Sequence, residues 1–245
     1  MEKKDLALVG HLEEMRNRLI WTIVAFILFF IAGFVFVKPI YHWLIKDLDT
    51  PLAVLGPSDI LWVYVMIAAV IALAATIPVA AFQVWKFVAP GLSKEERKVT
   101  LRFIPALFLL FITGIAFGYL LLFPLVLKFL ISLSDGNFDM MFTADKYFRF
   151  LLNMTLPFGL LFEMPLVVLF LTRLGILNPM RLKKARKMAY FALVVISVLI
   201  TPPDFLSDVL VILPLLALYE ISVSLSHIVY KKRLKRMESI DKPVA

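Results

Sequence analysis

The sequence predicts an all-α polytopic membrane protein with six transmembrane helices, both termini in the cytoplasm, and kinked helices that form a concave bundle. Composition gives the class: 62% of the 245 residues are hydrophobic and 18% are charged, against about 45–50% and 25% in soluble domains. Apolar runs near the roughly 20 residues needed to cross a bilayer give the number of spans. The distribution of basic residues gives the orientation.

Six apolar runs define the predicted spans. The fifth is short, and the fourth and sixth are each interrupted by one acidic residue, Glu163 and Glu220. Together they use nearly the whole chain, so we predict one membrane domain over residues 1–236 and a disordered cytoplasmic tail over 237–245. The predicted spans are 19–37, 60–85, 103–127, 150–172, 188–203 and 209–230.

Lysine and arginine alternate between the two sides of these spans. Counted along the seven polar segments they number 4, 2, 5, 3, 6, 0 and 6, so the odd-numbered segments hold 21 of the 26 basic residues. Basic residues next to membrane spans stay on the cytoplasmic side. The sequence therefore predicts a multi-pass protein of the cytoplasmic membrane with both ends inside the cell.

Three inner segments carry helix signals. Residues 5–18 have apolar positions at helical spacing and predict an amphipathic helix along the cytoplasmic interface. Ser93 and Glu96 have the spacing of a capping box. Asn178 followed by Pro179 predicts an N-cap and a first-turn proline.

The outer segment 38–59 contains three prolines and a glycine, so we expect a folded loop with at most short helices. The outer segment 128–149 should be similarly irregular around Asp135-Gly136-Asn137, and the two together could form a cap. The third outer segment, Pro202-Pro203-Asp204, is so short that spans five and six should form a tight hairpin. Asp204 is well placed to N-cap the sixth span.

Small residues and prolines shape the spans. Gly114 and Gly118 have a spacing that permits close approach of two helices, and packing within the chain is the favoured interpretation. Prolines remove a backbone donor and kink helices. Those in or near the spans are Pro78, Pro105, Pro124, Pro157, Pro165 and Pro214.

The sequence argues against an enzyme, a metal site and a cofactor. It has no cysteine, and its three histidines fall at different membrane boundaries. It also lacks a phosphate-binding glycine loop and a nucleophile elbow. The net charge of +8 is juxtamembrane, which suits lipid headgroups rather than nucleic acid. Energy should arrive through partners or an ion gradient.

Two acidic residues lie within spans. A charge at the centre of a membrane helix costs about 2.5–3.5 kcal/mol on insertion scales, so such residues usually face a cavity or a partner. Glu163 is either a neutral carboxyl hydrogen-bonded to a neighbouring helix or a polar feature of a binding or transport pathway. Glu220 poses the same question with less force.

Four glutamates lie on the basic, cytoplasmic side: Glu13, Glu14, Glu95 and Glu96. Local roles are favoured on chemistry alone, since Glu96 fits the capping box and Glu14 has Arg18 four residues on. Carboxylates on a basic face also offer a site for a cationic ligand, because they pair bidentately with arginine.

Four motifs resemble a known family. His11-Leu12-Glu13-Glu14-Met15-Arg16 is similar to the HLxELR signature of the TatC family, the membrane receptor of the twin-arginine protein translocase, with Met15 in place of the usual leucine. Phe87-Val88-Ala89-Pro90-Gly91-Leu92, followed by Glu96-Arg97, resembles its FxxPxL…ER segment. Phe162-Glu163-Met164-Pro165 resembles its FExP element, and Thr201-Pro202-Pro203-Asp204 resembles its TPPD turn. The resemblance covers about residues 8–233.

The resemblance implies a receptor that binds arginine-pair signal peptides of folded cargo and gathers TatA-type subunits, and possibly TatB-type subunits, for export driven by the proton-motive force. It implies that Glu14 and Glu96 engage the arginine pair, with Arg16, Phe87 and Arg97 shaping that surface. Glu163 would be the polar residue of a groove in the membrane, and Pro202, Pro203 and Asp204 would shape the helix turn. A homo-oligomer within a larger complex is implied too.

Two alternatives remain open at this point. A secondary transporter would use Glu163 as an ion or proton site, although we find no internal repeat of the kind many transporters have. A structural membrane scaffold would leave the glutamates with local roles alone.

Overall fold

The computed structural model describes residues 2–46, 48, 51–92, 94–133, 141–201 and 205–241; the side chains of 2–9, 11, 94–96, 99 and 232–241 are outside the description. Helix dominates this described part of the chain, which contains one isolated bridge between Ala53 and Thr143 and no strand. The all-α prediction is confirmed. The α-helices are α1 (Glu2–Val35), α2 (Val37–Ile45), α3 (Pro57–Val88), α4 (Lys94–Leu101), α5 (Phe103–Phe117), α6 (Phe123–Ser132), α7 (Ala144–Leu161), α8 (Met164–Arg173), α9 (Pro179–Lys184), α10 (Arg186–Ile200) and α11 (Phe205–Asp241).

Five helical segments of the described chain are long and apolar enough to cross a membrane. The predicted fifth span corresponds to α10, which has 15 residues. At 1.5 Å per residue it is about 22 Å long, short of the roughly 30 Å hydrocarbon core. The five long segments are Leu12–Val35, Pro57–Gly91, Phe103–Ser132, Ala144–Arg173 and Phe205–Lys231.

Two of these spans are interrupted close to a proline. A π-helical turn over Gly118–Leu122 separates α5 from α6, and Pro124 follows it directly. A two-residue turn at Phe162 and Glu163 separates α7 from α8, just before Pro165. Proline cannot donate a backbone hydrogen bond and its ring crowds the preceding turn, so the regular ladder is broken there.

One of the predicted helix caps lies within the described residues. Asn178 is the N-cap of α9, because its side-chain oxygen accepts the Met180 amide at 2.9 Å. The capping box cannot be compared, since Ser93 and the side chain of Glu96 lie outside the described residues. Pro202, Pro203 and Asp204 lie outside them as well.

At both ends of the chain the helices extend beyond the predicted limits. The helix expected over 5–18 is present, but it continues without a break into the first span as α1. At the other end α11 extends to Asp241, inside the range predicted as a disordered tail. Lysine, arginine, leucine, methionine and glutamate, which fill residues 231–238, are strong helix formers.

The chain divides into two compact units. The first comprises Met1–Leu109 and Gly136–Leu152, and the second comprises Leu110–Asp135 and Asn153–Ala245. The single-domain assignment over residues 1–236 stays a prediction.

In the first unit α1 packs along α3, whose buried face is formed by small and β-branched residues, Val63, Ile67, Ala68 and Ala72 among them. The outer segments meet there: Ala53 donates its amide to the Phe142 carbonyl at 2.9 Å, and its own carbonyl accepts from Ala144 at 2.8 Å. Tyr41 on α2 also stacks on Phe148 on α7, with ring centroids 5.5 Å apart.

The second unit has its own core, in which α11 packs along α8 and against α10. The hydroxyls of Thr172 and Ser226 are 2.8 Å apart and both are fully buried. The core residues are Leu122, Phe158, Leu193, Val211, Leu215, Tyr219 and Val223.

Gly114 and Gly118 lie against α7 within this second unit, so the intrachain interpretation is confirmed. A Cβ atom on Gly114 would meet the Phe158 carbonyl oxygen at 2.5 Å, and one on Gly118 would meet the Met154 carbonyl oxygen at 2.6 Å. Backbone atoms cannot move aside as a flexible side chain can.

We therefore expect Gly114→Ala to lower the stability of the protein by about 1–3 kcal/mol, the usual cost of overpacking. Thermal unfolding in detergent measures the change. Gly10→Ala is the matched control, because Gly10 is also helical and no atom lies within 4 Å of the added Cβ. Equal unfolding temperatures for the Gly114 variant and the parent would contradict the packing argument.

Candidate functional site: a cleft between α1 and α3

An open cleft of about 460 Å³ lies between α1 and α3 in the first unit. It forms where the beginning of the first span passes the end of the second, on the side of the membrane that the basic residues mark as cytoplasmic. Its lining is polar and charged apart from one indole. The lining residues are Glu14, Asn17, Arg18, Trp21, Gln83 and Lys86.

Glu14 is the acidic group of this cleft. It lies on α1, and its carboxylate accepts a hydrogen bond from the guanidinium of Arg18 one turn later, which confirms the predicted local pair. The Arg18 guanidinium also donates through Nη1 to the Gln83 carbonyl on α3 at 3.4 Å. The Glu14–Arg18 pair therefore contacts α3 and does not lie on a solvated face of α1.

Arg16 points elsewhere. Its guanidinium lies 3.4 Å from Glu13 Oε1, and both side chains are more than 60% exposed. An exposed ion pair of this kind contributes about 0–1 kcal/mol. Arg16 does not line the cleft, so the structure separates it from Glu14 although the two are close in sequence.

Arg97 and Phe87 flank the junction between α3 and α4. The Arg97 guanidinium carbon lies 5.4 Å from the centre of the Trp85 ring, and Trp85 donates its indole N–H to the Thr100 hydroxyl at 3.1 Å. These two contacts hold α4 against the end of α3. Phe87 is half-buried beyond Trp85 and does not line the cleft.

Glu96 precedes Arg97 on α4, and its side chain lies outside the described residues. Its relation to Glu14 therefore stays a prediction.

Sequence reasoning missed Asn17 and Trp21 on α1 and three residues at the end of α3. Gln83 and Lys86 line the cleft, and Trp85 holds α4 in place, yet none belongs to a quoted motif. The available signal was that these three residues lie one to four positions before Phe87 of the second motif. Neighbouring residues at the end of α3 point to different sides of the helix, so some meet α1 and others meet α4.

The geometry of the Glu14 carboxylate suits a guanidinium ligand. A carboxylate presents two oxygens that match the planar fork of arginine, whereas the ammonium of lysine is a point charge. Glu14 is 38% exposed, so a ligand can reach it from the aqueous side. Arg18 and Lys86 outweigh the charge of Glu14 and make the lining of the cleft net positive.

Glu163 lies in the second unit, at the turn between α7 and α8. Its carbonyl accepts the amides of Leu166 and Val167, both at 3.0 Å, so its backbone is the start of the new helix. Its Oε1 is buried and makes no hydrogen bond within the described part of the protein. Of the two sequence interpretations, the local one required a partner on a neighbouring helix, and no such bond is found among these residues.

Comparison with known proteins decides the family. The family model for Sec-independent protein translocase protein (TatC) matches residues 10–214. The chain belongs to the TatC family. It is 66% identical to Sec-independent protein translocase protein TatCd of Bacillus subtilis strain 168, over 96% of this chain and 97% of that protein. It is 46% identical to TatCy of the same strain, over 96% and 94% of the two chains.

Solved structures agree with this assignment. The fold is similar to the crystal structure of the twin-arginine translocase receptor TatC, with a TM-score of 0.78 and 32% identity over 89% of this chain and 99% of that one. A second crystal structure of that receptor, in the detergent DDM, gives the same TM-score. Six spans and cytoplasmic termini are typical of TatC proteins.

Membership places the chain in the cytoplasmic membrane as a component of a protein translocase, which is a transport family and not an enzyme family. The predicted class and location are confirmed. The cleft at Glu14 is then on the side of the membrane where a substrate of export begins.

Glu220 has a structural explanation in this TatC protein. Its carboxylate accepts the Arg186 guanidinium at 2.7 Å and the Tyr190 hydroxyl at 2.5 Å, both from α10. Tyr219 adds a bond to the Leu182 carbonyl at 2.8 Å. We call Arg186, Tyr190 and Glu220 the α10–α11 clamp, because they tie the short helix to the long one near its cytoplasmic end.

The opposite end of α10 is tied as well. Thr201 donates its hydroxyl to the Asp208 carboxylate in the first turn of α11, and four residues separate the two helices. The predicted tight hairpin of spans five and six is present.

Replacing Glu220 by Gln should destabilise the hairpin, because Gln keeps the shape but loses the charge that two donors share. We expect a loss of about 1 kcal/mol, kept small since both charged groups are partly exposed. Fluorescence-detected thermal unfolding in detergent measures it.

Asp145→Asn is the matched control for that variant. Asp145 pairs with Arg149 within one helix, at 2.9 Å, so its loss should cost a few tenths of a kcal/mol. A Glu220→Gln protein as stable as the Asp145→Asn protein would show that the clamp contributes nothing.

Proposed function

We propose that this chain is the receptor and core subunit of a twin-arginine translocase. It binds the arginine-pair signal peptides of folded cargo at its cytoplasmic face and recruits TatA-type, and where present TatB-type, single-span subunits for export driven by the proton-motive force. The observation that carries the proposal is the half-exposed carboxylate of Glu14 in a polar cleft between α1 and α3, within a chain of the TatC family.

Recognition of arginine rather than lysine follows from shape. The guanidinium fork places two parallel donors on one carboxylate, and adjacent arginines require two acceptors held apart. Glu14 on α1 supplies one acceptor. Glu96 on α4 is the proposed second, because the Trp85–Thr100 and Trp85–Arg97 contacts anchor α4 beside the end of α3. Arg16, Phe87 and Arg97 shape the surrounding surface.

Charge alone cannot supply tight binding. Exposed ion pairs contribute about 0–1 kcal/mol each, whereas burying apolar surface contributes about 25 cal/mol per Å². The apolar part of the signal peptide must therefore enter the membrane beside the receptor after the arginine pair docks. We propose Glu163 as the polar residue that meets an inserted peptide or partner helix, since its buried Oε1 makes no hydrogen bond among the described residues.

The α10–α11 hairpin is the proposed docking surface for single-span subunits. Its outward residues are large and apolar, with Phe191 71% and Leu199 79% exposed on α10 and Leu213 61% exposed on α11. A span of about 22 Å is shorter than the bilayer, and such mismatch favours helix association. Several copies of the receptor assembled with these subunits, in contact with membrane lipids, complete the proposed complex.

The proposal predicts that Glu14→Gln and Glu96→Gln each abolish crosslinking of the receptor to an Arg-Arg signal peptide while membrane insertion is unchanged. Loss of the carboxylate removes the partner of the guanidinium. Site-specific photocrosslinking in membranes measures binding, and protease accessibility of the termini measures insertion. A Lys-Lys peptide should crosslink about tenfold less to the unaltered receptor.

Glu13→Gln is the control, because Glu13 is adjacent on α1 but is exposed and does not line the cleft. It should leave crosslinking within about twofold of the parent. Equal crosslinking in the Glu13, Glu14 and Glu96 variants, or equal recovery of the two peptides, would refute arginine-pair recognition at this site.

The secondary transporter is the second candidate, and the buried Oε1 of Glu163 is the observation that favours it. The two functions predict different results at this residue. A hydrogen-bonding role predicts that Glu163→Gln retains much of the export activity and Glu163→Leu loses it, because only Gln keeps donors and acceptors. A proton-carrying role predicts that both variants fail.

Export of a folded reporter from whole cells distinguishes these outcomes. Uphill movement of a small solute by the purified protein in liposomes, lost in both Glu163 variants, would favour the transporter over the receptor.

A further inference from the structure

The contact between Arg18 and Glu14 has the chemistry that the receptor is proposed to recognise. The Arg18 guanidinium donates to Glu14 Oε1, as an arginine of a signal peptide would. Its side chain is 16% exposed, less than half the value for Glu14. A simple surface pair on one helix would leave the arginine the more exposed partner, since its long side chain reaches furthest into water.

Resting on the proposed function, we propose that Arg18 is an internal competitor that occupies the Glu14 carboxylate in the empty receptor and is displaced by the arginine of an incoming signal peptide. A guanidinium that docks bidentately takes both oxygens of a carboxylate, and Arg18 occupies Oε1 of Glu14. Bidentate binding of a cargo arginine at Glu14 therefore requires Arg18 to leave or to rotate away.

The other contacts of Arg18 permit this displacement. Its Nη1 bond to the Gln83 carbonyl is long, at 3.4 Å, and its Nε is buried without a hydrogen bond among the described groups. The pair with Glu14 is thus the strongest polar contact the side chain makes in the described structure. The cleft is open, so the displaced guanidinium can turn to water or to lipid phosphates nearby.

Charge in the cleft points the same way. Arg18 and Lys86 give two positive charges around the single carboxylate of Glu14. An arginine pair that approaches with Arg18 in place meets a net positive cleft. Once Arg18 has moved away, Oε1 of Glu14 is no longer held by Arg18 and the cationic peptide meets less repulsion.

The effect on affinity follows from competition. When a site is free for only a fraction of the time, the apparent dissociation constant rises by the inverse of that fraction. Arg18 lowers the affinity of every cationic ligand by the same factor and leaves the ratio of Arg-Arg to Lys-Lys binding unchanged. Arg18 then sets the minimum affinity that a ligand needs. Basic segments that bind weakly fail to displace Arg18, whereas a peptide with added apolar contacts displaces it.

The test is the dissociation constant of a fluorescent Arg-Arg signal peptide for the purified full-length receptor in detergent, with a Lys-Lys peptide in parallel. Arg18→Gln should tighten both peptides about fivefold and keep their ratio. Arg18→Lys should tighten them less, because a lysine still competes but lacks the fork. Arg18→Lys also serves if the glutamine variant does not fold.

Arg149→Gln is the matched control, because Arg149 also pairs with a carboxylate four residues earlier and lies outside the cleft. It should leave both constants unchanged, which separates competition from the loss of one positive charge. Tightening by Arg149→Gln equal to that by Arg18→Gln would overturn the inference.

The remaining outcomes separate this inference from the proposed function. Weaker binding by Arg18→Gln would make Arg18 a positioning residue for Glu14, and unchanged binding would show that Arg18 has no influence. Either result overturns the competitor hypothesis, and the proposed function stands as long as Glu14→Gln still loses binding. If Glu14→Gln binds as the parent does, the proposed function itself fails. With Arg18→Gln and Glu14→Gln combined, the gain should disappear, since there is no carboxylate left to release.

Discussion

The hydrocarbon core of the membrane offers no water to hydrogen-bond backbone groups, so each amide and carbonyl within it must find a partner inside the protein. Helices meet this requirement along the chain itself, and that is why the described residues are helical almost throughout. Hydroxyls follow the same rule: Thr76 donates to the Ala72 carbonyl at 2.6 Å within its own helix. The turn at Phe162 and Glu163 departs from regular helix, and Glu163 has one buried carboxyl oxygen there, Oε1.

The carboxylates differ in the partners that hold them. Glu220 is held by two donors from a neighbouring helix, and its role is to join α10 to α11. Asp145 has an arginine on its own helix. Glu14 also has an arginine, but its pair lies in an open cleft where another guanidinium can compete. Glu163 is the contrasting case, with a buried oxygen that makes no bond among the described residues.

The family motifs predicted a cytoplasmic site, but those of its residues that the structure describes do not form one cluster. Arg16 is exposed beside Glu13, while Arg18, outside the quoted HLxELR signature, contacts Glu14 and the Gln83 carbonyl. Spacing along α1 predicts the Glu14–Arg18 pair because residues four apart share a face. It does not predict the contact with α3, which depends on how the two helices pack and joins residues 65 positions apart in sequence.

The sequence by itself determined the class, the spans, the sidedness and the family, because hydropathy, basic residues and short motifs are read from neighbouring positions. It also determined local caps and pairs such as Asn178 with Met180. Only the tertiary structure decided which face of α1 meets α3, that Glu220 is bonded to α10, and that Arg18 lies in the cleft with Glu14. These outcomes depend on packing between helices far apart in the chain, and periodicity within one helix carries no information about its partner.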